Sequence, residues 1–379
     1  MRALSDPSLQ THALYGDKPP FNVWTTWAVD DTTQQAYVYG GCRPGDDSNN
    51  PTNDFYALKI KDNLFTWRRL NDSLRYRGRD RFSPGKVIRH RPFPSLRQPG
   101  MTLATINDNT FIFLFGGFSS EFERVVSDLI AVDVSSEEWW FINLEGGPVI
   151  GRLDAAIAVV GHCLYIFGGR QDFGRNHAIS SYCVARYSVN RRTWTWVHQD
   201  RPYPKHVPYL GFGMVMVPIQ HRRRIVLLPG RKRRDEDPIN LTQKTVFLFD
   251  VDDLSFTLLN IPAEDFPCLE IQGLDAAPLH PSTLPRVRTA PFRFLLAGWV
   301  PCEDGSLIPE LWMCKPYGPS QNLRCLGVMD KIWEKDLDLQ NYIMCDGRIL
   351  FVGYEHRGLD YVHPPEDSTW NVVVEVILN

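Results

Sequence analysis

Tyr37-Val38-Tyr39-Gly40-Gly41, Phe111-Ile112-Phe113-Leu114-Phe115-Gly116-Gly117 and Leu164-Tyr165-Ile166-Phe167-Gly168-Gly169 are three copies of one pattern, a short apolar run closed by paired glycines. Three weaker copies read Ile225-Val226-Leu227-Leu228-Pro229-Gly230, Phe294-Leu295-Leu296-Ala297-Gly298 and Leu350-Phe351-Val352-Gly353, each with one glycine of the pair replaced. Recurrence of one unit along a whole chain is the signature of a repeat architecture.

The second half of each unit supports the count. A polar loop follows the glycines, then an alternating segment such as Phe55 to Ile60 or Val246 to Val251, which reads as a strand. An aromatic comes next: Trp67, Trp139 or Trp140, Trp194 or Trp196, and Phe256. Trp67 and Phe256 each lie 26 residues beyond the second glycine of their unit, whereas the fifth unit carries Arg324 at that offset.

This pattern resembles the kelch repeat, the four-stranded blade of kelch and galactose-oxidase-type β-propellers, over nearly everything from Phe21 to Ile377. The resemblance implies an all-β fold, a six-bladed β-propeller of four-stranded antiparallel blades. A blade cannot bury both faces alone, so blades pack radially, and the glycines let the backbone turn tightly near the central channel. We expect a single propeller domain over residues 1–379, with blades near 21–70, 95–144, 147–200, 202–261, 270–327 and 336–379, and an arginine-rich insertion at 71–94 between the first two. Ring closure stays open between side-chain packing alone and a strand from Thr11 to Tyr15 added to the last blade.

Composition agrees with that class. With 43% hydrophobic residues, 11 Trp, 21 Phe and 14 Tyr, the chain has ample core for sheet packing, and 28 Pro with 27 Gly suit a loop-rich β fold. The N-terminus has no apolar core of signal-peptide length and no stretch reaches the length of a membrane span. The expectation is a soluble intracellular protein, cytoplasmic with a nuclear location as the alternative; Arg231-Lys232-Arg233-Arg234 has the composition of a nuclear-import signal, but Asp235-Glu236-Asp237 follows at once and the stretch reads as a solvated, self-neutralising loop. Eight scattered cysteines without a C-x-x-C pair read as reduced packing thiols, with an inter-blade disulfide as the alternative.

Because successive strands reverse direction, the loops after the glycines and the loops between blades emerge on one face. The post-glycine loops begin with Arg43 (after Cys42), Phe118, Arg170, Arg231, Trp299 and Tyr354, six starts that symmetry places around one channel mouth. Guanidinium groups fork onto carboxylates or phosphates, and aromatic faces accept apolar contacts. These six residues are the candidate partner-binding set. The bland reading is that the arginines pair with nearby acids such as Asp172 and Asp235.

Asn71 to Gly100 holds seven arginines and Lys86 against Asp72 and Asp80, a local balance of +6; the whole chain carries −3, so the remainder carries −9. Such a segment either reaches an acidic partner or folds back over the acidic body. Tyr76, Phe82 and Phe93 interleave with the arginines as nucleic-acid stacking residues do, but a pI near 6.4 argues against a nucleic-acid partner.

Catalytic motifs of the G-x-S-x-G, phosphate-loop and H-E-x-x-H types are absent from the sequence. No cofactor is expected. His356, Asp360 and His363 offer a ligand set for a divalent metal within one loop, and Glu355 with Arg170 offers acid/base groups. The reading is therefore a protein-binding adaptor or scaffold that takes a partner protein or acidic peptide at the channel mouth. The alternative is a small-molecule enzyme using the same mouth.

Overall fold

A computed structural model describes residues 8–20, 22, 25–30, 33–43, 50–78, 91–171, 179–188, 190–191, 193–205, 207, 215–219, 223–228, 245–260, 274–278, 294–301, 307–314, 323–328, 337–345, 348–355 and 372–377. Among them there is no helix, and therefore none long and apolar enough to cross a membrane.

The chain opens with β1 (Ser8–Gly16), followed by β2 (Thr26–Asp30), β3 (Gln35–Tyr39), β4 (Phe55–Lys61) and β5 (Leu64–Arg69). Next come the short β6 (Arg75–Tyr76) and β7 (Leu96–Arg97), then β8 (Gly100–Ile106) and β9 (Asn109–Phe115). Two further short strands, β10 (Phe118–Ser119) and β11 (Arg124–Val125), precede β12 (Leu129–Asp133), β13 (Glu138–Phe141) and β14 (Leu144–Glu145). The third group is β15 (Ala156–Val160), β16 (Cys163–Phe167), β17 (Ser181–Ser188) and β18 (Thr193–Pro202). The fourth is β19 (Val215–Ile219), β20 (Arg224–Leu228), β21 (Thr245–Asp250) and β22 (Phe256–Asn260). The fifth is β23 (Leu274–Pro278), β24 (Phe294–Pro301), β25 (Leu307–Cys314) and β26 (Leu323–Val328). The last is β27 (Leu337–Cys345), β28 (Arg348–Glu355) and β29 (Val372–Ile377).

Within each group consecutive main strands pair antiparallel, as in β15-β16-β17-β18 or β23-β24-β25-β26. The first strands of the groups meet in cyclic order: β2 lies against β8, β8 against β15, β15 against β19, β19 against β23, β23 against β27, and β27 against β2. That closed cycle is the inner wall of a β-propeller.

The cores sit between neighbouring sheets. Tyr37 and Tyr39 pack with Ile112, Leu114, Ile130 and Trp139 of the next group, while Ala36 and Val38 on the opposite face pack with Leu350, Val352 and Val373 of the last. Phe113 and Phe115 likewise meet Leu164, Ile166 and Trp194, and Tyr165 and Phe167 meet Ile225, Leu227 and Phe249. A strand buried on both faces has no polar side to show, so it reads as an unbroken apolar run. This is why the run before the glycines is the clearest mark in the sequence.

The aromatic that follows is resolved as Trp67, Trp139 and Trp194, which are buried; Trp140 is half-buried on the face opposite Trp139, and Trp196 is half-buried on the same face as Trp194. All three buried tryptophans stand at one structural position. The outermost strands of the second and third groups each take a short parallel strand from the linker that enters the group: Tyr76 of β6 pairs with Trp139, and Leu144 of β14 pairs with Trp194. The first group takes Gly16 of β1 opposite Trp67 in the same manner.

Ring closure follows from this equivalence. Ser8 to Ala13 pair antiparallel with β29, in register Ser8↔Ile377 to Ala13↔Val372, and Leu14 to Gly16 then cross to pair parallel with β5. A strand therefore closes the ring, joining the last and first groups into one sheet in the order β2-β3-β4-β5-β1-β29-β28-β27.

Candidate partner-binding face

The paired glycines order one face of the ring. Gly40 and Gly41, Gly116 and Gly117, and Gly168 and Gly169 all have positive φ, between 57° and 91°, a region that side-chain-bearing residues reach only at a cost. The first glycine of a pair lies under the next inter-blade loop: a Cβ on Gly40 would stand 2.5 Å from the Leu96 carbonyl oxygen, and one on Gly116 2.2 Å from that of Arg152. The Gly117 N–H donates to the Arg152 carbonyl at 2.8 Å. Post-glycine loops and inter-blade loops are thus stitched together, through β10 against β7 and through an isolated bridge between Leu153 and Arg170.

In the first three groups the opposite face carries short turns. Asn107 and Asp108 form a two-residue turn with both φ values positive, the geometry that suits the twist of a hairpin. Left-handed residues at Gln34, Asp62, Glu137, Gly161, Arg223 and Leu254 mark further hairpins on this face in the first four groups. The described residues 40–43, 50–54, 116–128, 168–171 and 179–180 belong to the glycine face.

On the glycine face Arg43 is exposed, while Phe118 and Arg170 are half-buried. Arg170 donates from Nε and from a terminal nitrogen to Asp154 Oδ2, at 3.1 and 2.9 Å, and also to Gln98 Oε1 at 3.1 Å. Arg170 thus pairs with an acid of the preceding inter-blade loop, while Asp172 and Asp235, the partners suggested by the sequence, lie outside the described residues. Asp154 and Gln98 occupy equivalent positions, two residues before β15 and β8, and both have left-handed φ, 51° and 53°. The Asp154 N–H donates to the Gln98 carbonyl at 3.0 Å.

Arg97 sits beside this pair and is 5% exposed. Burial pulls its pKa below the usual arginine value; Cys42 opposes that, Arg170 adds to it, and Asp154 also opposes it. Two guanidinium groups and one carboxylate are therefore packed at one point of the face.

A second buried arginine holds the loop beneath. Arg152, fully buried, donates to the Gly168 carbonyl (2.7 Å), to the Ser181 carbonyl and hydroxyl (both 2.9 Å), to Cys183 Sγ (3.4 Å) and to Asp200 Oδ1 (2.6 Å). The other Asp200 oxygen accepts the Ile150 N–H at 3.0 Å, so the carboxylate pins the loop at two points. Burial pushes the Cys183 thiol up to about 11, partly offset by Arg152. Cys42, Cys163 and Cys183 are free thiols.

The arginine-rich segment folds back on the body at both described ends. Tyr76 packs on Trp139 with ring centroids 4.7 Å apart, and Phe93 is buried against Tyr39, Phe55 and Trp139. Arg91 lies over Phe141 at 4.8 Å and pairs with Glu121 at 3.5 Å, and Arg77 reaches Glu138 at 3.4 Å. Tyr76 and Phe93 therefore serve the core between the first two groups and are not stacking platforms.

Of the other candidate residues, Trp299 and Tyr354 lie within β24 and β28 and do not begin loops. Ala297 and Val352 stand where the clear units carry their first glycine, and neither readily takes positive φ. The ladder accordingly runs on, through Gly298↔Glu310 and Trp299↔Pro309 in one group and Gly353↔Leu339, Tyr354↔Asp338 and Glu355↔Leu337 in the other. Arg231, Phe82, His356, Asp360 and His363 lie outside the described residues. Among the described residues no three His, Cys, Asp or Glu side chains converge as a metal site.

Cyclic packing of the first strands, glycine pairs under inter-blade loops and buried outer-strand tryptophans together define a kelch-type β-propeller. Comparison with known proteins agrees. Kelch domain-containing protein 3 of Rattus norvegicus is 30% identical over 104 residues, 27% of this chain and 26% of that protein. The Bos taurus protein of the same name is 25% identical over 175 residues, 46% and 38% of the two chains. The leucine-zipper-like transcriptional regulator 1 homolog of Drosophila melanogaster is 28% identical over 159 residues, 41% of this chain and 14% of that protein. The matches thus span about a quarter of the rat protein's length and well under half of the bovine one's. No family model matches the chain.

Proposed function

We propose that this chain is a protein-interaction module that receives an acidic segment of a partner protein on the glycine face. Arg43, Phe118 and Arg170 are the contacts there. The carrying observation is the asymmetry between the faces in the first three groups: loops are braced against one another on the glycine side, and short hairpins form the other. Loops held by a rigid scaffold are where recognition residues concentrate. Fixing Arg170 against Asp154 and Gln98 orders its guanidinium in advance, which lowers the entropy lost when a partner docks.

The kelch relatives favour the same reading, since a propeller fold hosts many functions and does not select one by itself. Amide hydrogen exchange on the protein bound to a captured partner tests it. Added protection should fall on residues 40–54, 116–128 and 168–171. Protection confined to the hairpins at 33–34, 107–108 and 161–162 would overturn the assignment.

A further inference from the structure

We propose that the closing strand β1 is exchangeable and that its slot between β5 and β29 accepts β1 of a second copy of this chain, giving a reciprocally strand-exchanged dimer. The slot is narrow and specific. It pairs through its backbone on both sides, antiparallel to β29 over Ser8–Ala13 and parallel to β5 over Leu14–Gly16. It also makes three demands at alternate positions. His12 is buried against the Phe65 ring at 4.8 Å, Leu14 joins the core with Phe65 and Trp67, and Gly16, with φ +81°, leaves no room for a Cβ, which would stand 2.1 Å from the Trp67 carbonyl oxygen. A second copy meets all three by construction.

The strand is lightly held for an element that closes a ring. Among its described side chains His12 and Leu14 are buried, whereas Gln10, Ala13 and Tyr15 are exposed, Tyr15 by 54%. By contrast, β3 and β9 insert side chains into cores on both of their faces. Local opening draws on the segments with the fewest buried contacts, so β1 leaves its slot before any inner strand does. The open slot exposes two strand edges at once, which are templates for pairing with another chain.

Pro19 and Pro20 follow immediately, after Asp17 has donated its N–H to the Trp67 carbonyl at 3.1 Å. Each proline holds φ near −65° and biases the residue before it to extended backbone, so the hinge favours a β1 that projects from its own ring. Exchange then restores every contact of β1 in the partner, and the remaining cost is association alone, which concentration offsets.

Two full-length preparations with different affinity tags are mixed at high concentration, warmed to just below the unfolding midpoint, cooled and diluted. The expected product carries both tags, has about twice the 43.6 kDa mass of the chain, and persists on dilution in the cold. A lock separates exchange from ordinary association: Thr11→Cys with Val374→Cys, positions paired in register across β1 and β29, is oxidised within the monomer and mapped by peptide mass. Oxidised, this variant should give no mixed species; reduced, it should match the unmodified chain. Monomer at every concentration, or mixed dimers that form equally from the oxidised variant, would overturn the proposal.

Discussion

The Arg152 carbonyl oxygen stands 2.2 Å from where a Cβ on Gly116 would be, and the neighbouring Gly117 donates its N–H to that same oxygen at 2.8 Å. One contact therefore explains both the glycine and the braced loop. Gly116→Ala adds a steric clash with backbone to a left-handed φ of 73°, and should cost about 3 kcal/mol. Gly147, with φ 97° and nothing within 4 Å of its Cβ position, suffers from the dihedral alone, so Gly147→Ala should cost only about 1–2 kcal/mol. Denaturant midpoints of the two variants test the difference.

Arg152 is fully buried and Asp200 is its carboxylate partner, 23% exposed. Removing the carboxylate strands a buried guanidinium, and the residual water around Asp200 keeps the loss at the low end for such pairs. Asp200→Ala should cost about 2–3 kcal/mol. Replacing both residues, Arg152→Met with Asp200→Leu, should cost less than Asp200→Ala alone, because no uncompensated charge remains. A double-mutant cycle read by chemical denaturation gives the sign of the coupling.

Gly16 closes the ring beneath Trp67. Gly16→Val places a β-branched side chain against the Trp67 carbonyl in a left-handed region, and should detach Leu14 to Gly16 from β5. Amide exchange in Leu64–Arg69 should accelerate at least tenfold, with β16 and β17 little changed. Uniform acceleration across the ring would show global unfolding instead.

Cys183 supplies a pH dependence. Its unfolded thiol titrates near 9 and the folded one near 11, so between those values the folded state binds more protons than the unfolded state. Its contribution to stability is thus intact below about pH 9 and falls as pH rises toward 11, by up to about 1.4 kcal/mol per pH unit. The stability difference between the natural chain and Cys183→Ala, followed from pH 8 to pH 11, should change by that slope. The native thiol should also resist alkylation at pH 8 and react once the chain is unfolded.

The fold was legible in the sequence where one residue type answers to one physical demand. Phe111 to Phe115 are apolar at every position because both faces of β9 are buried, and Gly116-Gly117 are paired because two carbonyls approach them. Closure by β1 was not decidable, because three parallel pairs from Leu14 to Gly16 leave no periodic trace. Gln98 and Asp154 are not legible in the sequence for a related reason: a left-handed residue before a strand has no strong sequence mark outside glycine. The spacing of the clear units places loop starts at Trp299 and Tyr354, yet Ala297 and Val352 replace the glycine that ends the strand, and the ladder runs on. Tyr76 and Phe93 stand among arginines as nucleic-acid stacking residues do, although each packs in the core beside Trp139.

The most direct test of the binding face compares partner capture by three full-length proteins of equal stability: the natural chain, Arg43→Glu with Phe118→Ala, and a control on the hairpin face, Asp62→Arg with Asp108→Arg. Capture from native cells should fall at least tenfold for the first variant and stay within twofold for the control. Equal capture by all three, or loss confined to the hairpin-face variant, would contradict recognition through the glycine face.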